Sequence, residues 1–93
     1  MINRLDDWDK FEPQVRKHIV QYTIPQYDNP SGNDQVEEWK SGQCIDAIQR
    51  YVNRFGRNVR GPKEALRDCI KIAHYAQLAY DKLKKELSET DVY

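Results

Sequence analysis

From Pro62 to Leu87 the sequence contains no glycine and no further proline, so nothing in that run interrupts a helix. Such a helix would be about 39 Å long at ~1.5 Å per residue. That exceeds the diameter of the compact body that 93 residues can form. Gly61-Pro62 reads as its start, because a proline at the first helical position lacks an N–H that would be unpaired there anyway. With Lys63 at 0° and about 100° per residue, Leu66, Cys69, Ala73, Ala76, Gln77, Tyr80, Leu83 and Leu87 fall between about 200° and 320°. Lys63, Arg67, Lys71 and His74 fall between about 0° and 80°. The spacing therefore predicts an apolar face and a separate basic stripe, with Tyr80, Leu83 and Leu87 left bare unless a second copy covers them.

The chain before this run supplies its partners. Cys44, Ile45, Ile48, Tyr51, Val52 and Phe55 recur at three and four, Ser41 is a credible N-cap, and Gly56 suits the left-handed position after a helix. These define a helix over 41–55 that returns through a Gly56 to Gly61 turn as an antiparallel helical hairpin with the long final helix. Pro13 to Ile24 reads as a first helix with Pro13 near its start, Val15, Ile19 and Tyr22 on one face, and Pro25 as its stop. Residues 1–12 read as an acidic N-terminal segment, 26–40 as a loop with one possible turn at Val36 to Lys40, and 88–93 as a frayed tail. The expectation is one small all-α domain over 1–93.

A chain of 93 residues has a thin core, burying only about 60–65% of its unfolded surface, which again favours a homodimer. No apolar run approaches the ~20 residues of a membrane helix, and the N-terminus lacks the pattern of a signal peptide, so a cytoplasmic protein is expected. Cys44 and Cys69 have no CxxC spacing and read as reduced, buried small hydrophobes.

Charge is distributed unevenly. Residues 50–71 hold Arg50, Arg54, Arg57, Arg60, Lys63, Arg67 and Lys71 against Glu64 and Asp68, on a chain whose formal charge is zero. Arg50 can pair with Asp46, Arg67 with Glu64, and Lys71 with Asp68 along a helix. Arg54, Arg57 and Arg60 are left without local acidic partners. Together with Lys63 and Arg67 they are expected to line an anion pocket at the start of the long helix, where unpaired N–H groups and the positive helix end favour phosphate. Tyr51 or Tyr75 would stack on a base.

The run from Arg50 to Arg57, Arg-Tyr-Val-Asn-Arg-Phe-Gly-Arg, resembles the signature of the SaV-like family of small phage-encoded helical proteins. Asp68 to Tyr75 resembles that family's following helix, and Trp39 to Gly42 with Ile45-Asp46 resembles its opening; the likeness covers roughly residues 39–80. It implies phage origin and involvement with nucleotides. A relative in that family is reported as a nucleotide kinase without the usual phosphate loop, but the loop Asn58 to Pro62 and His74 depart from the pattern, so kinase activity is not carried over to this chain.

Other chemistries fail on their residues. Gly56 and Gly61 mimic only the spacing of a phosphate loop, with proline where the loop needs an N–H. Glu37 and Glu38 are adjacent rather than on one helix face, and two histidines and two cysteines show no zinc spacing. No catalytic residue, metal or cofactor is assigned. The leading expectation is a small phage-type protein that binds a phosphate-bearing ligand, a nucleotide or nucleotide-derived messenger, counteracting host defence or acting in nucleotide metabolism, with no reaction assigned to it. The alternatives are a non-enzymatic protein–protein interaction module or inhibitor using its basic face, and nucleic-acid binding, which the pI of about 6.7 disfavours.

Overall fold

The computed structural model describes residues 3–23, 35–57 and 60–89. Its elements are α1 (Arg4–His18), a π-helical turn (Ile19–Thr23), α2 (Gln35–Glu38), α3 (Ser41–Arg54) and α4 (Pro62–Leu87), with no strand among the described residues. The fold is all-α. The chain divides into two units, Met1–Asn33 and Asp34–Tyr93.

In the first unit the helix begins earlier than the proline suggested. Asn3 caps it, its Oδ1 accepting from the N–H groups of Leu5 (3.1 Å) and Asp6 (3.2 Å), and Asp6 and Asp7 place negative charge at the positive helix end. The acidic segment is thus the helix's own first turns. Pro13 lies inside α1, not at its start, because the capping and charge upstream outweigh one missing N–H. Phe11, Val15, His18 and Ile19 are half-buried, whereas Tyr22 is exposed.

The second unit holds α2, α3 and α4. Its contacts join the end of α3 to the start of α4 (Arg54 to Asp68) and the start of α3 to the end of α4 (Ser41 to Glu86), so these helices run in opposite directions. Small side chains meet where they cross: Cys44 and Ala47 on α3 and Ala79 on α4 are buried, flanked by half-buried Ile48, Tyr51, Ile72 and Tyr75.

Three expectations change here. The face of α4 turned to α3 carries Asp68, Ile72, Tyr75 and Ala79, and is not the stripe beginning at Leu66 and ending at Leu87; Leu66 is 66% exposed, Tyr80 41%, Leu83 45% and Leu87 60%. Cys69, on that outer stripe, is exposed rather than buried, while Cys44 is fully buried, and both are free thiols. His74 belongs to no solvated basic stripe, being 8% exposed. The physical reason is that an ion pair and two stacked tyrosines fix the rotation of α4 against α3, and that rotation turns the more apolar side outward.

Candidate functional site

At the turn between α3 and α4, Gly56 and Gly61 hold φ angles of 82° and 103°, left-handed values that side-chain-bearing residues resist. The turn leaves Arg54, the last residue of α3, facing the second turn of α4. Its Nε donates to Asp68 Oδ2 at 2.8 Å and its Nη2 to Oδ1, a two-armed fork on one carboxylate. Asp68 is completely buried, and the fork satisfies it: no buried side-chain polar atom among the described residues lacks a partner. The Arg54 hydrogen bonds, chiefly, hold the Asp68 carboxyl below its ordinary pKa against the opposing effect of burial. Arg54 also lies 3.7 Å from Glu64.

Glu64 occupies the first turn of α4, where its Oε2 accepts from the backbone N–H of Arg60 at 3.3 Å. The positive end of α4 therefore already carries a carboxylate of its own chain.

Beside the ion pair the aromatic rings form a column. The rings of Trp39 and Tyr75 stack with centroids 6.3 Å apart at 19°, and those of Tyr75 and Tyr51 at 5.9 Å and 30°. Arg54 Cζ stands 4.9 Å from the Tyr51 centroid and Lys71 Nζ 5.5 Å. Trp39 packs onto Tyr75 from just ahead of α3, where the Lys40 N–H donates to Gln43 Oε1 at 2.7 Å. At the opposite end of the pair, Glu86 receives both the hydroxyl (2.6 Å) and the backbone N–H (2.9 Å) of Ser41. Ser41 was expected to cap its own helix; instead α4's carboxylate caps α3, and these hydrogen bonds hold Glu86 below its ordinary pKa.

The seven residues expected at an anion pocket separate into two groups. Arg54, Tyr51 and Tyr75 are engaged with Asp68 and with one another. Arg57, Arg60, Lys63 and Arg67 are exposed, with no ion pair to any described residue. The absence of a partner for Arg54 is corrected: its acid lies across the turn, 14 residues on, beyond the reach of helical spacing. Glu64 and Asp68 were read as partners for cations on their own helix, and both instead approach Arg54.

Counting outward from residues 56–61 sets Arg54 opposite Lys63, one residue from Glu64, so the count pointed toward Glu64 but not to Asp68, five residues farther along. Nothing local to Ser41 signals Glu86, 45 residues away. The fold and site together define a small all-α domain with a clamped helix pair and a basic exposed end. Against known proteins, no family model, no curated protein and no solved structure matches this chain.

Proposed function

We propose that this chain is a non-enzymatic binding module that takes an anionic, phosphate-bearing ligand at the exposed basic end of the α3–α4 pair. The observation that carries this reading is the division of charge at the turn. Arg54 engages both acids of the stretch, and the side chains of Arg57, Arg60, Lys63 and Arg67 are left on the surface with no ion pair to any described residue. Guanidinium groups in that state suit phosphate oxygens, each charge-assisted contact contributing about 1.5–3 kcal/mol. The resemblance of residues 39–80 to the SaV-like phage proteins supports a nucleotide or nucleotide-derived messenger as the ligand. It also supports a host-cell cytoplasm as the setting, with a role against host defence or in nucleotide metabolism. Consistent with this, no helix among the described residues is long and apolar enough to cross a membrane.

The engagement of Tyr51 and Tyr75 with each other favours a second reading, in which the basic end docks on an acidic protein surface that offers no base to stack. A thermal-shift screen with inorganic phosphate and mono-, tri- and cyclic nucleotides separates the two. A nucleotide-dependent rise in melting temperature that disappears in the double variant Arg57→Glu/Lys63→Glu supports the first reading. A rise that persists in that variant overturns it, and a flat screen leaves the protein-docking reading.

A further inference from the structure

The outer side of α4 has a periodicity distinct from the face that meets α3. From Leu66 to Leu87 its apolar residues fall at alternating intervals of three and four, the a/d spacing of a coiled-coil seam, maintained over three heptads. On α3 the exposed Ile45 (53%) and Val52 (51%) lie on one side with half-buried Ile48, and Phe55 (62% exposed) follows just past the helix end. On each helix this stripe lies about 100° around, in the same rotational sense, from the residues that face the other helix. Antiparallel helices are related by a local two-fold axis, and a two-fold along the normal to their common plane keeps both stripes on one side. The α3–α4 pair is therefore a layer with one open apolar face.

We infer that this face is where a second copy of the chain docks, two layers meeting to form a four-helix core. Bare aromatic side chains expose roughly 150–250 Å² and the aliphatic ones less, so the exposed fractions on this face leave on the order of 600 Å² per chain. Two copies face to face bury about twice that, at the lower end of the roughly 1,200–2,000 Å² of a standard stable interface. Charge on this face is sparse: Gly42 and Gln49 stand beside the α3 stripe, Lys84 lies within the α4 stripe with its Nζ 5.5 Å from the Tyr80 ring centroid, and Lys63 and Asp81, of opposite sign, share the edge beyond Gln77.

Sedimentation velocity on the full chain across micromolar concentrations tests the inference, with Cys69, exposed on the seam, as an internal reporter of coverage. The wild type is expected at twice its 11.1 kDa mass, with Cys69 slow to react with a maleimide. Leu66→Glu/Leu83→Glu, two positions outside the α3–α4 contact, is expected to keep its helical circular dichroism, sediment as a monomer, and expose Cys69 to modification at least tenfold faster. A wild type that is monomeric at 100 μM overturns the proposal, whether Cys69 is free or shielded by the chain's own residues. So does a folded double variant that remains dimeric.

Discussion

Asp68 shows how much one buried carboxylate can decide. Among the described residues its ion-pair partner is Arg54, and Asp68→Asn keeps the shape while removing the charge that the fork grips, at a cost of about 1.5–3 kcal/mol. In a domain this small that is a fall in melting temperature on the order of 10 °C. The pH dependence has a definite sign. Because the folded pKa is depressed below the unfolded value of about 3.9, the contribution is complete above that value and is lost as pH falls through the folded pKa. Melting curves between pH 6 and pH 2.5 should show the wild type losing stability below about pH 4 more steeply than Asp68→Asn. The glycines make a second residue-scale test. At Gly56 a Cβ meets no atom within 4 Å, yet φ is 82°, so Gly56→Ala should cost about 1–2 kcal/mol from backbone strain alone. Gly42 is equally uncrowded but lies within α3, so Gly42→Ala should gain roughly 0.5 kcal/mol. Opposite signs in paired denaturant titrations are the expected outcome.

At the scale of elements, α3 is bounded by contacts from α4 at both ends. Removing the Glu86 carboxylate with Glu86→Ala frees the N–H and hydroxyl of Ser41, and the first turn of α3 should fray. Hydrogen exchange should then quicken at amides 41–44 while those near Arg54 and Asp68 keep their protection; uniform loss of protection would show that the two ends are not independent. In α1, Pro13 sits mid-helix and lacks the N–H for one i to i−4 bond. Pro13→Ala should raise helicity and stabilise α1 by up to about 3 kcal/mol, read as a deeper circular dichroism minimum at 222 nm.

For the whole molecule, the fully apolar buried core of the described residues amounts to Cys44, Ala47 and Ala79, while seven large apolar side chains of the α3–α4 layer stand more than 40% exposed. The inferred pairing of that layer predicts stability drawn from association, and so a melting temperature that rises with protein concentration between 5 and 200 μM. A concentration-independent value would show that the single chain is sufficient.

What the sequence determined by itself was local. The absence of breakers after Pro62 and the glycines on either side of the turn set α3 and α4 to within a residue, because helix formation and termination depend on neighbours a few positions away. The start of α1 was legible too, in Asn3 and the acids behind it, but Pro13 drew the reading away. The accumulation of cations at 50–71 was visible; their sorting was not. Whether Arg54 is free or clamped, which side of α4 faces α3, and what caps Ser41 all depend on how one helix is rotated and slid against another. Periodicity fixes only the angles between side chains on the same helix. The α4 sequence offers two usable faces, and the Arg54–Asp68 fork with the Trp39–Tyr75–Tyr51 column selected the more polar one for the intramolecular contact, because a buried carboxylate must stay where its guanidinium can reach it.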